Sequence, residues 1–199
     1  MTEMSAVEII GIAASISLLA GWRLYLCVFA VGLGMRMGWI AMPEHLQSLD
    51  VLANHWVMGI AGAGAMVEFF ADKISWLDSA WDMVHTLVRP VGGALLALAI
   101  VDAGNPVWQV VVLLLGGGAT LLSHGAKSGT RALVNTSPEP VSNIVVSSSE
   151  DVVTGSALIA TLASPVAAGL VAIVLFVGAV LILAMLRKLI RGGSGPPAP

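Results

Sequence analysis

Cysteine is almost missing from this chain. Its 199 residues hold one, Cys27, inside an apolar run. No intramolecular disulfide can form, and nothing beside Cys27 suggests an activated nucleophile, so it reads as a small buried hydrophobe. Charge is scarce as well: 11% of residues are Asp, Glu, Lys or Arg, against about 25% in a soluble globular domain. Too little polar surface remains to cover a water-soluble particle of this size. The net charge of −3 gives no basic face for nucleic acid. A positively charged N-terminal region followed by a small-residue cleavage site is also lacking, so no removable signal peptide is read. The apolar segments are continuous rather than alternating, which excludes an outer-membrane barrel.

What is present is hydrophobic length. Apolar residues make up 57% of the chain and the mean hydropathy is +0.93. The expected fold is all-α: a polytopic helical membrane protein of about six segments, near 7–38, 51–73, 80–103, 107–131, 141–163 and 165–188. Residues 1–191 read as a single transmembrane domain. Residues 192–199, all Gly, Ser, Pro or Ala, read as a disordered tail. The second, fourth and sixth segments meet the length needed to cross. The first carries Arg23 in its middle, the third is apolar only after Pro90, and the fifth is unusually polar. These odd segments are the candidates for broken or re-entrant helices, which survive at membrane depth only when buried in protein or lining a water-filled cavity. The stretches Trp56–Lys73 and Trp108–Lys127 share an opening Trp, a Gly/Ala-rich middle and a closing lysine. They suggest an internal repeat of the kind common in transporters.

With the N-terminus placed in the cytoplasm, Lys73, Arg89, Lys127, Arg131, Arg187, Lys188 and Arg191 fall on the inner side and Arg36 on the outer, beside Glu44, Asp50 and Asp102. This obeys the positive-inside rule and predicts an inner-membrane protein with both termini cytoplasmic. Trp39, Trp56 and Trp108 would mark the outer interface, and Trp76 and Trp81 the inner one.

Charged side chains inside a membrane are expensive, so each needs a reason. Glu68 and Asp72 are spaced i, i+4. Asp78, Asp82, His85 and Arg89 share one face of an expected interfacial helix from Ser75 to Val88, with Trp81, Val84 and Val88 opposite. That pattern fits either a carboxylate/imidazole site or a solvated face of ion pairs. His124, Lys127 and Arg131 share a face at the end of the fourth segment and suit either an anionic group or a rigid loop. The fifth segment gathers Asn143, Ser147, Glu150, Asp151 and Thr154. At matched depth, Arg23 is a natural partner for Glu150 or Asp151, and because adjacent acids cannot both face one arginine, one of them is left over. His45 and His55 lack ligand-like spacing and read as solvated.

The blocks "EFFADKISWLDSAWDMVHTLVRP", "SHGAKSGTR", "NTSPEPVSN" and "SSSEDVV" resemble the motifs of a bacterial membrane family catalogued as domain of unknown function four thousand one hundred twenty-six. The resemblance runs through nearly the whole chain and is carried by the ADK, WDxxH, RP, NTSPEPxSN and SED elements. It implies an all-helical membrane fold. Its signature residues correspond to Glu68, Asp72, Lys73, Asp78, His85, Arg89, Pro90, Lys127, Asn135, Pro138, Pro140, Asn143, Glu150 and Asp151. It implies no activity.

The leading functional expectation is a small transporter or channel moving a small solute or ion, with the lipid bilayer and that solute as partners and a homo-oligomer as an option. Its path residues would be Arg23, Glu68, Asp72, Lys73, His85, Arg89, His124, Lys127, Asn143, Glu150 and Asp151. Glu150 or Asp151 would take up a proton or cation, with Arg23 tuning the acid. No cofactor is expected under this reading. The alternative is a membrane enzyme acting on a lipid phosphate at the inner leaflet. There Glu68, Asp72, Asp78 and Asp82 would hold Mg²⁺, His85 would act as acid or base, and Arg89, Lys127 and Arg131 would bind phosphate. A third reading is a non-catalytic scaffold, whose mark would be ion pairs that close on one another.

Overall fold

The computed structural model describes residues 5–38, 51–101, 104–136 and 140–192. Trp39, Glu44, His45, Asp50, Asp102, Pro138, Glu139 and the tail beyond Gly192 lie outside them. Six helices follow in order: α1 (Ala6–Arg36), α2 (His55–Ala71), α3 (Ser75–Val101), α4 (Pro106–Val134), α5 (Pro140–Ala163) and α6 (Pro165–Gly192). No strand occurs among the described residues. Five of the six starts carry a local signal. Ser5 and Glu8 form a capping box on α1. The side chains of Asn54 and Asn105 cap α2 and α4. Proline opens α4, α5 and α6, where its missing N–H is one of the orphans in any case.

By length and composition α1, α3, α4 and α6 are apolar enough to cross a membrane. Helix α2 has 17 residues, shorter than the sequence suggests, and α5 is too polar to qualify. The expected interfacial helix ending at Val88 does not exist as a separate element. Helix α3 runs on through Pro90 to Val101, and its charged face turns inward rather than to solvent. Five helices pack around α1, which is the most buried of the membrane-length helices.

Helix α1 is not straight. Arg23 has φ −145° and ψ 76°, which breaks it into two arms. Contacts along the chain give the direction of each. The first arm runs alongside α4: Ser17 O accepts from Thr120, Leu18 O from Ser123 and Trp22 O from Lys127. The second arm runs against α2, with Gly32 at Leu52 and Met58, Phe29 at Gly62, and Tyr25 at Gly64. Helix α2 in turn climbs the same way as α4. Glu68 and His124 share Arg89, Asp72 meets Lys127, Arg131 reaches Asp72 O, and Asn135 reaches Ser75 O. The second arm therefore runs opposite to the first, and α1 is a re-entrant hairpin with Arg23 at its apex. The second arm has 13 residues after Arg23, about 20 Å of helix, too short to span the hydrocarbon alone.

The hairpin divides the bundle into two halves. The lower half, where α1 begins, is apolar: Ala13, Ile16, Val31, Leu96, Ile100 and Leu158 share one cluster with Leu52 and Met35 against it. The upper half holds the charge. Gly21 permits the arm's approach to α4, since a Cβ there would strike Ser123, Thr120 O and His124 N.

Helix α6 starts beside Gly11 and runs with α4, with Leu183 at Gly125 and Leu186 at Gly129. The start of α1 and the end of α6 therefore lie at opposite ends of the bundle. Lys73, Arg89, Lys127 and Arg131 gather at the upper end, and Arg36 lies at the lower beside His55. Trp56 and Trp108 are exposed at the lower end and Trp76 at the upper, whereas Trp81 turns inward against His85. In a Cys27→Ala background, Val7→Cys and Met37→Cys are expected to react with an impermeant thiol reagent from one side of the membrane, and Leu189→Cys only from the other. Labelling of Val7→Cys and Leu189→Cys from the same side would refute the hairpin.

The two arms of the suggested repeat, α2 and the first part of α4, run in the same direction and both end in the charged layer. Their surroundings differ. Helix α4 is 29 residues long and packs on α1, α3 and α6, while α2 packs mainly on α1.

Candidate functional site

The charged layer is built by five elements. Helix α1 brings Arg23; α2 and the turn after it bring Glu68, Asp72 and Lys73. Helix α3 adds Asp78, Asp82, His85 and Arg89, at steps that keep them on one helical face. From α4 come His124, Lys127 and Arg131, and from α5 Asn143, Ser147, Glu150 and Asp151. All are buried except Lys73 and Asp151, which are half-buried.

Within the layer every cation finds a carboxylate. Arg89, completely buried, bridges Glu68 at 2.7 Å and Asp82 at 2.8 Å. Asp72 takes Arg23 and Lys127, each at 2.7 Å. Asp151 joins Arg23 to Lys73, the latter at 2.9 Å. Arg131 Nε meets Asp78 at 3.1 Å, while its other nitrogens donate to Asn143 O and Asp72 O. Lys73 also lies over the Phe69 ring, 3.4 Å from its centre. Low dielectric makes such pairs strong only when the remaining hydrogen bonds are made.

The histidines are set by these partners. Arginine can only donate, so Arg89 Nη1, 2.6 Å from His124 Nδ1, requires that nitrogen to accept. The Thr86 hydroxyl donates to Asp82 O, which leaves it to accept from His124 Nε2 at 3.1 Å. His124 is therefore the neutral Nε2–H tautomer. His85 donates from Nδ1 to Trp81 O, stacks on the Trp81 ring, and meets the Tyr25 hydroxyl through Nε2.

The structure thus brings together all the path residues read from the sequence. Arg23 selects Asp151, and Glu150 is the acid left over: it has no ion pair or hydrogen bond among the described residues, and its Oε2 is buried and unpartnered. The proposed metal set does not assemble. Glu68, Asp72, Asp78 and Asp82 each face a cation, and no group of three or more His, Cys, Asp or Glu able to hold a metal occurs among the described residues. Arg89, Lys127 and Arg131, the proposed phosphate ligands, are likewise occupied by carboxylates. His55 hydrogen-bonds with Arg36 at the lower end, away from the layer.

Sequence reasoning did not name Tyr25 and Thr86 as members, and it put Trp81 at the membrane interface. Tyr25 carried one signal, being the chain's single tyrosine, two residues after Arg23.

A family model described as "Domain of unknown function (DUF4126)" matches residues 10–185. This chain belongs to that family. The matched range takes in every residue of the charged layer, from Arg23 to Asp151. Comparison with curated proteins and with solved structures gives no match. The description of DUF4126 assigns no activity.

A second feature of this DUF4126 chain is an apolar groove of about 610 Å³ in the lower half. It lies between the first arm of α1, α4, the end of α3 and Phe176 of α6, and Ser17 is its one polar lining residue. It shares no residue with the charged layer.

Proposed function

We propose that the chain is a small transporter or channel whose path follows the inward face of α5. The observation that carries this reading is a buried polar stripe along the first half of α5. Asn143, Ser147, Glu150 and Thr154 succeed one another at helical spacing, and each is at most 9% exposed. Asn143 Oδ1, Glu150 Oε2 and Thr154 Oγ1 have no partner. Unsatisfied buried oxygens in a row call for water or a polar solute. The re-entrant hairpin supports the same reading, because irregular backbone at membrane depth belongs where protein or a polar cavity surrounds it. The basic residues at the upper end orient that end to the cytoplasm, so the hairpin enters from the outer side of the inner membrane.

The test is purified protein in liposomes, with an internal pH-sensitive dye and light scattering for small neutral solutes. Dissipation of an imposed gradient above the protein-free rate, lowered at least about tenfold by Glu150→Gln or Thr154→Val, is expected. Fluxes equal to those of empty liposomes for protons, Na⁺, K⁺ and small neutral solutes would sink the reading. They would favour a scaffold, for which the closure of the ion pairs on one another speaks.

A further inference from the structure

The charged layer can be counted. Its cations are Arg23, Lys73, Arg89, Lys127 and Arg131, and each is in an ion pair. The carboxylates they contact are Glu68, Asp72, Asp78, Asp82 and Asp151. Five charges of each sign cancel. Both histidines sit in hydrogen bonds that a neutral ring satisfies, and for His124 the Arg89 contact forbids a proton on Nδ1. One ionisable group remains, Glu150.

We propose that the layer is one positive charge short, and that the missing charge is a single exchangeable proton on Glu150, which makes H⁺ the ion to which this path is coupled. The proposal deepens the transport reading and rests on it for its purpose, but the protonation itself is a property of the folded protein. Uptake forms an O–H bond on the Glu150 carboxylate with a proton from bulk water; release returns it, and no other bond changes.

The surroundings of Glu150 agree with this role. Helix α5 packs against α1, α4 and α6. From α1 comes Arg23, from α4 Lys127 and Arg131, and from the turn after α2 comes Asp72; all four act on Glu150 through their charge, but none forms an ion pair with it. Lys73 is bound to Asp151, the neighbour of Glu150 on its own helix. Helix α6 carries no ionisable residue before Arg187. An uncompensated ionised carboxylate at this burial is expensive, and a proton removes that penalty without disturbing the five-against-five balance. Asp151 cannot take the same role, because both its oxygens are engaged with cations. When Glu150 ionises, the cations whose charge acts on it are Lys127, Arg131 and Arg23, and Arg23 is the residue at which α1 breaks. Proton release is thereby linked to the apex of the hairpin.

The experiment is infrared difference spectroscopy of the purified protein in lipid, titrated with pH. The C=O stretch of a protonated carboxylic acid is expected in the wild type, titrating as one proton. It should be absent from Glu150→Gln and retained in Asp151→Asn. Glu150→Gln loses no ion pair, so it is expected to fold, and its melting temperature should match the wild type within a few degrees. A band that persists unchanged in Glu150→Gln, or that disappears in Asp151→Asn alone, overturns the proposal. The two readings separate cleanly. A Glu150 band without any flux leaves the proton site standing and removes the transport function; flux without a Glu150 band keeps transport and removes the proton.

Discussion

Replacing Arg89 with leucine is expected to destabilise the protein by about 3–5 kcal/mol, the range found when one partner of a buried ion pair is removed. Arg89 is fully buried, and it is the one cation in contact with both Glu68 and Asp82. Without it two carboxylates remain in a low-dielectric interior with no counter-charge, and His124 Nδ1 loses its donor. The measurement is unfolding in detergent by heat or denaturant, with Arg187→Leu as the reference. Arg187 is exposed at the end of α6, where a substitution is expected to fall within about 0.5 kcal/mol. Combining Arg89→Leu with Glu68→Gln and Asp82→Asn should recover part of the loss, because the stranded charges then disappear. If Arg89→Leu behaves like Arg187→Leu, the layer does not hold the bundle together.

Asp72→Asn is expected to act at a different joint. Asp72 is the single carboxylate contacting Lys127, and it shares Arg23 with Asp151. The substitution strands Lys127 in the interior while Arg23 keeps Asp151, so a loss of about 3 kcal/mol is expected, at the lower end of the same range. Lys127→Met added to Asp72→Asn should restore stability, and a double-mutant cycle should give a coupling of about 0.5–3 kcal/mol between the two. Arg23→Leu should cost less than either, because Asp72 retains Lys127 and Asp151 retains Lys73. This ranking, Arg89 above Asp72 above Arg23, follows from how many groups each substitution leaves alone. Equal effects for all three would mean that the pairs act as independent contacts rather than a network.

The functional side of the layer is distinct from its structural side. Six carboxyls enter it and five are tied to cations, which leaves Glu150 as the group that can change charge without breaking the bundle. The unpartnered oxygens of Asn143 and Thr154 lie on the same face of α5 as Glu150. The proposed path and the stabilising network draw on different elements: α3 closes against α4 through Arg89 and Arg131, while α5 contributes the polar stripe.

Much of this was legible in the sequence. Six apolar segments, the bilayer as solvent, the α-helical class and the family resemblance follow from composition and local pattern, because each depends on properties that residues carry with them. That Asp78, Asp82, His85 and Arg89 share one helical face was written in their spacing, and the shortage of partners for two adjacent acids was plain from Glu150 and Asp151. Pro90, by contrast, looked like a boundary and is an interior residue of α3, since tertiary packing against α4 overrides a local preference.

What only the tertiary structure decided is the path of the first segment and the direction in which the charged faces look. Arg23 marks the first segment as a candidate for a broken or re-entrant helix, but its neighbours do not say which: the break is one residue's φ and ψ, held by the close approach of Gly21 to α4 and by the grip of Asp72 and Asp151 on Arg23. Those partners lie about fifty and more than a hundred residues away, so no local signal can encode them. The same holds for the face of α3. Its spacing was compatible with water or with a buried site, and the cations of α4, which meet it only in the folded bundle, made it a core. Sequence determined which groups are costly in a membrane; the fold determined which of them are compensated, and left Glu150 as the one that is not.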